Sequence, residues 1–388
     1  MPDERLAYAS QHIEEDDVAA AIAALRSDWL TGGPAVTAFE ENMAGYCGAR
    51  FGAAVSSATA GLHAACHALG IRSGDRVWTS PMSFVASANC ALYCGAAIDF
   101  VDIDPRSYNI CATEFKRKLR CAAEQHALPK ALIAVHFGGH PCSLRELASV
   151  ARPYGVAIIE DATHALGATY RGERIGSCRY SDAAVFSFHA IKSITTGEGG
   201  MVLTNREDLA QSVRRFRSHG IVRDTSEAEP WRYEQRELGY NYRMTDLQAA
   251  LGTSQLKKID AFIARRTQLA GRYDRGLADL PLQLPYRDTE STPAWHLYPI
   301  CILDGHRGAT RRKLYLELLR HGIASQVNYI PIHTQPFYRD LGFQAGQFPA
   351  AERYYDGALS LPLFVDLTER DQDRVLETVR TTLSEAVG

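Results

Sequence analysis

Between about Gly52 and Thr204, short apolar runs alternate with stretches whose apolar residues recur at helical spacing. That alternation predicts a mostly parallel sheet flanked by helices. The candidate strands are Val77–Thr79, Ala97–Val101, Ala131–Val135, Val156–Ile159, Ala183–Phe188 and Met201–Leu203. A polar loop follows near Asp224–Arg236, and Thr245–Arg275 then reads as one long helical connection. Beyond it, His296–Leu303 and Ala324–Asn328 are apolar runs, while Arg311–Arg320 and Thr368–Ala386 read as helices. The expected fold class is α/β: a large domain over residues 1–250, including an N-terminal arm, and a connecting helix with a smaller α/β domain over 251–388. No internal repeat or low-complexity segment interrupts this order.

Composition narrows the function classes more than it chooses among them. A chain of 388 residues can bury a sizeable core and exceeds one common domain. Its formal net charge of -3 argues against a nucleic-acid partner. Nine cysteines without regular spacing or a CxxC pair read as reduced thiols, so the expected location is cytoplasmic. Cys90 and Cys94, four apart in an apolar helix, read as core packing and not as metal ligands. No signal-peptide pattern opens the sequence, and no uncharged apolar run reaches the roughly 18 residues that would suggest a membrane partner.

Candidate chemistry lies in three segments. In SDAAVFSFHAIKSITTGEGGMVLT, Lys192 stands between a strand-like run and a glycine turn, with Ser187 and His189 before it. In a partly desolvated pocket a lysine loses its proton more easily and forms Schiff bases; on a surface it is a mobile charge or an anion contact. In VAIIEDATHALG, Asp161 falls at a strand's carboxyl end, where open α/β sheets bind ligands, although it equally suits the cap of a helix starting at Thr163 and His164. In FGAAVSSATAGLHAACHALG, Ser57, Ala58, Thr59 and Ala60 begin a helix whose free amides suit a phosphate, or form an ordinary capped turn. Neither a GxxxxGK[ST] nor a GxGxxG pattern is present there, which lowers nucleoside-triphosphate and dinucleotide readings.

Together with SPMSFVASANCALYCGA, HFGGHPC, RSHGI and LGYNYRMTDLQAALG, these segments resemble, nearly end to end, the DegT/DnrJ/EryC1/StrS sugar aminotransferases, fold-type I enzymes that use pyridoxal 5'-phosphate. Within that family FSFHAIK with TTxEGG, the HLYPI run and HGIASQVNYIPIH are most similar to the transaminases of pseudaminic-acid biosynthesis. The resemblance implies Lys192 as Schiff-base lysine, Asp161 as partner of the pyridine nitrogen, and Thr59 with Ala60 as phosphate contacts. It implies that Phe84 stacks on the ring, Ser187 contacts the phosphate, and His164 lies near the phenolic oxygen where many members have glutamine. Asn241 matches an asparagine that reaches the neighbouring subunit's phosphate, implying a homodimer with shared sites. Tyr8, Thr31 in the Leu30–Gly33 loop, Arg243 and His333 resemble segments that line the sugar site.

The implied reaction moves an amino group from L-glutamate to a nucleotide-linked 4-keto sugar, with Lys192 as covalent anchor and general acid/base. The expected acceptor is UDP-2-acetamido-2,6-dideoxy-β-L-arabino-hexos-4-ulose. A UDP-4-keto-pentose, a D-xylo UDP-4-keto-N-acetylhexosamine and GDP-4-keto-6-deoxymannose are the alternatives. The related sugar dehydratases replace the lysine with histidine, and a non-catalytic regulator on this fold would have no need of Lys192 or Asp161; both are retained.

Overall fold

The computed structural model describes residues 5–223, 229, 231–303 and 305–387. Its main sheet has seven strands, in the order Phe51–Val55, Gly200–Thr204, Ala183–Ser187, Ala157–Asp161, Ala131–Val135, Arg76–Thr79 and Ala97–Phe100. Gly200–Thr204 runs antiparallel to both neighbours, whereas the five strands from Ala183–Ser187 to Ala97–Phe100 pair in parallel. Buried strands explain the continuous apolar runs, because successive side chains enter opposite cores. Ile158 packs on one face with Phe39, Met43, Phe115 and Leu147; Ile159 packs on the other with Leu62, Val185 and Val213. Each such aliphatic side chain contributes roughly 2 kcal/mol by leaving water.

A second, antiparallel sheet joins Leu282–Gln283, Tyr298–Ile302 and Ala358–Leu361. The helices Ile259–Leu277, Arg307–Arg320 and Glu369–Val387 share its core through Leu269, Tyr273, Leu314, Leu318, Val375 and Val379. The N-terminal arm joins this core: Leu6 is buried there, and its backbone exchanges hydrogen bonds with Gly322 and Ala324 (2.9 and 3.0 Å).

Several elements depart from the sequence expectations. Thr245–Arg275 is two helices, Asp246–Leu256 and Ile259–Leu277, broken at Lys257 and Lys258. Lys258 Nζ meets Asp16, Asp17 and Glu14 of the arm at 2.6, 2.7 and 3.1 Å. Neither glycine nor proline marks this break, so the periodicity runs through it unannounced. Ala324–Asn328 forms no strand beyond the Gln326–Ser360 bridge. In the expected loop over Asp224–Arg236, Tyr233–Gln235 pairs antiparallel with Ile221–Arg223, while 224–228 and 230 lie outside the described residues. The strand expected to end at Ile159 continues through Glu160 and Asp161, and only turns follow, with no helix starting at Thr163. Glu160 is tolerated inside because its carboxylate meets His136 Nε2 (3.0 Å) and the Ser181 hydroxyl.

Candidate active site

The carboxyl ends of the parallel strands border a cavity of about 440 Å³. It gathers Ser57, Ala58 and Thr59 from the start of the Ala58–Ala68 helix, Asp161 and His164 from the strand end and following turn, and Ser187, His189 and Lys192 from beyond Ala183–Ser187. Ser83, Phe84 and Ser87 form a further wall. A wider surface cleft of about 770 Å³, bordered by Asp99 and Lys118, contains none of these groups. Its lysine is already paired with Asp99 at 2.6 Å. Among the described residues no group of three or more His, Cys, Asp or Glu side chains could hold a metal ion, and no helix is long and apolar enough to cross a membrane.

Lys192 is held in a turn, its amide donating to His189 O at 2.9 Å. Burial pushes its ammonium pKa down to about 8, partly offset by the charge of Asp161. Asp161 is 3% exposed. Its Oδ2 accepts from Ser87 Oγ at 2.6 Å, and its Oδ1 accepts from the Thr163 amide at 3.2 Å. Ser87 is itself bonded to Ser83 at 2.7 Å. Asp161 makes no ion pair among the described residues, so its carboxylate keeps capacity for a cation entering the cavity.

At the helix start, Ser57 Oγ accepts from the Ala60 amide at 3.1 Å, and Ser57 O accepts from Gly61. The amides of Ala58 and Thr59 have no intrahelical carbonyl to reach. The Ala60 amide is thus used in the cap, and its buried side chain is absent from the cavity lining. The neighbouring strand comes so close that a Cβ on Gly200 would stand 2.6 Å from the Ser57 carbonyl carbon.

Phe84 is 59% exposed at the cavity wall, with the Tyr329 ring 6.3 Å away and tilted by 54°. His164 is buried, with its Nε2 3.2 Å from Tyr329 Oη. Burial, then the charge of Lys192, holds its pKa well below the usual histidine range. An unpaired buried carboxylate, a lysine of lowered pKa, an open aromatic face and free helix amides together fit pyridoxal phosphate.

The remaining expected site residues do not reach this cavity. Asn241 is exposed and bridges Ser218; Arg243 is half-buried nearby. Thr31 is exposed and bridges Thr245 beside the Leu30–Gly33 loop, which Asp246 fixes by accepting from the Gly33 and Ala35 amides (2.8 and 3.0 Å). Tyr8 donates to Asn328 Oδ1 at 2.9 Å. His333, expected to line the sugar site, is 0% exposed, paired with Glu352 at 2.9 Å and packed on Phe348. Sequence reasoning missed Ser87, which lies in the first turn of the Ala86–Tyr93 helix just after Phe84 and lines the same cavity. It also gave no role to His296, which opens the HLYPI run and whose Nε2 lies 3.5 Å from Lys192 Nζ across 104 residues.

The DegT/DnrJ/EryC1/StrS aminotransferase family matches residues 11–380. An uncharacterized protein of Methanocaldococcus jannaschii, MJ1066, is 40% identical over 96% of each chain. The spore coat polysaccharide biosynthesis protein SpsC of Bacillus subtilis is 38% identical over 97% of this chain and 96% of its own. Helicobacter pylori PseC, an aminotransferase involved in pseudaminic acid biosynthesis, superposes with a TM-score of 0.91 and 29% identity over 98% of this chain and all of PseC. The pyridoxal-phosphate form of Streptococcus pneumoniae Spr1654 gives a TM-score of 0.91 and 26% identity over 98% of this chain and 99% of its own. A fold-type I architecture, a lysine and a carboxylate in one strand-end cavity, and a family match across the chain converge: this protein belongs to the DegT/DnrJ/EryC1/StrS family and is a pyridoxal-phosphate-dependent sugar aminotransferase.

Proposed function

We propose that the chain transfers an amino group from L-glutamate to C4 of UDP-2-acetamido-2,6-dideoxy-β-L-arabino-hexos-4-ulose, a step of pseudaminic-acid biosynthesis. The observation that carries the catalytic assignment is Lys192, with its pKa lowered to about 8, in one cavity with the unpaired carboxylate of Asp161. Support for the substrate comes from the FSFHAIK, HLYPI and NYIPIH motifs and from the extent of similarity to PseC.

When bound, pyridoxal phosphate supplies an electron sink and a carrier for the amino group. Lys192 Nζ holds it between turnovers and, once released, moves the proton at the donor's α-carbon. The Asp161 carboxylate, oriented by Ser87 and the Thr163 amide, keeps a proton on the ring nitrogen. Phe84 covers one ring face, and His164, kept neutral by burial, meets the phenolic oxygen. The Ala58 and Thr59 amides, with the Thr59 and Ser187 hydroxyls, hold the phosphate.

Two copies complete the sites in this reading, Asn241 of one chain meeting the phosphate bound by the other. Exposed Trp29, Leu30, Trp231, Tyr233 and Leu238 give such an interface its apolar area. The functional division falls between residues 1–250, which hold the cofactor, and 251–388. The nine cysteines all stand as free thiols, consistent with work in the cytoplasm.

The test is a glutamate-dependent amination assay with the L-arabino and D-xylo UDP-4-keto-6-deoxy-N-acetylhexosamines offered side by side and products identified by NMR. Product from the L-arabino sugar alone is expected. Product from the D-xylo sugar alone overturns the substrate while keeping the enzyme class. No product from either moves the substrate to a pentose or GDP-linked 4-keto sugar.

A further inference from the structure

His296 is placed beside Lys192 by several features that work against easy folding. Its ring is buried, with Nε2 3.5 Å from Lys192 Nζ, at the outer edge of hydrogen-bond range. Toward an ammonium, Nε2 can only accept, which puts the imidazole proton on Nδ1. Nδ1 is buried with no hydrogen-bond partner among the described residues. A buried donor without an acceptor is costly, and a fold that retains one needs a reason for it.

The backbone around His296 is equally constrained. Trp295, immediately before it, has a φ of 53°, a left-handed conformation that a bulky side chain rarely adopts. The Trp295 carbonyl is gripped by the buried guanidinium of Arg266 at 3.2 Å, the same nitrogen also donating to Leu363 O at 2.9 Å. Ala294 and Leu297 donate to the carbonyls of Gly139 and Gly138 at 2.9 and 3.1 Å. Gly139, at a φ of 94°, lies so near that a Cβ would stand 3.1 Å from the His296 amide nitrogen and 2.7 Å from His164 O. The His164 and His296 rings lie 4.3 Å apart, tilted by 36°, so the two imidazoles pack against each other.

We propose that His296 is a positioning residue for Lys192, its Nε2 accepting from the lysine amine and aiming it into the cavity for capture of the cofactor's aldehyde carbon. This rests on the assignment of Lys192 as the cofactor-bearing lysine. The groups facing the pair are Asp161 from the strand end, His164 from the turn after it, His189 and Glu198 from the lysine loop, Tyr329 from the C-terminal segment, and Arg266 from the Ile259–Leu277 helix. Burial and the positive charge of Lys192 keep His296 neutral, as an acceptor requires.

Cofactor-free full-length protein is mixed with pyridoxal phosphate across a pH series, and growth of the visible absorption band is followed by stopped flow. In the wild type, capture accelerates as the amine loses its proton, with a midpoint near the Lys192 value of about 8. His296→Phe is expected to slow capture about tenfold and to move the midpoint down by about one pH unit, because the ammonium loses an acceptor. His296→Gln, which restores an acceptor, is expected to recover most of both, and His296→Ala serves where the phenylalanine variant does not fold. A wild-type midpoint and rate in the folded phenylalanine or alanine variant, or no recovery in the glutamine variant relative to it, overturns the proposal. Absence of any band in the wild type would instead overturn the Lys192 assignment beneath it.

Discussion

At the residue scale, the site depends on two charges that the fold leaves incomplete. Lys192→Ala is expected to abolish both turnover and the visible cofactor band while circular dichroism stays native; near wild-type transamination by this variant would contradict the assignment. Asp161→Asn removes the negative charge that keeps the ring nitrogen protonated, so turnover is expected to fall by about 100-fold or more. Ser87→Ala leaves the carboxylate but removes its 2.6 Å hydrogen bond. Steady-state assay is expected to show a loss of about 3- to 10-fold with the band intact. Lys192, Asp161 and Thr59 stood out in the sequence by their places at a strand end, a helix start or a glycine turn, whereas Phe84 and Ser187 came only from the family resemblance; all five line one cavity. His296 did not stand out, because its role comes from a strained turn and a distant glycine pair rather than from any spacing along the chain.

At the element scale, apolar runs revealed the strands because the sheet is covered on both faces, with Ile158 and Ile159 serving different cores. The same rule concealed where Ala157–Asp161 ends. Two acidic residues look like the end of a strand, yet Glu160 stays inside by pairing with His136 and Ser181. The break at Lys257 and Lys258 was hidden for the converse reason: its pinning carboxylates come from the N-terminal arm, more than 200 residues away in the chain. Close approach of strand and helix at the phosphate end gives another test. In Gly200→Ala the new methyl meets Ser57 and Ala58 backbone within 2.7 Å. Urea unfolding is expected to show a loss of about 1–3 kcal/mol, with faster release of pyridoxal phosphate. Unchanged stability and retention would mean that the helix start yields without cost.

At the scale of the whole molecule, the cavity accounts for one chain's contribution but leaves Asn241 on the outside. The dimer reading makes this a prediction. Mixing inactive Lys192→Ala with inactive Asn241→Asp and allowing subunits to exchange assembles one intact site per mixed dimer. Activity is expected to return to about a quarter of wild type at full random exchange, since half the dimers are mixed and each has one working site. No recovery after exchange confirmed by mass spectrometry would place Asn241 outside the shared site. The packing of Leu6 into the C-terminal core was not legible in the sequence, because a short arm has no period of its own.

The central claim is that Lys192 is the residue on which pyridoxal phosphate is held in this cavity. Borohydride reduction of the cofactor-loaded enzyme, followed by digestion and peptide mass spectrometry, tests it directly. A phosphopyridoxyl group on Lys192, lost when L-glutamate is added before reduction, is the predicted result; a label on another lysine, or none at all, would contradict it.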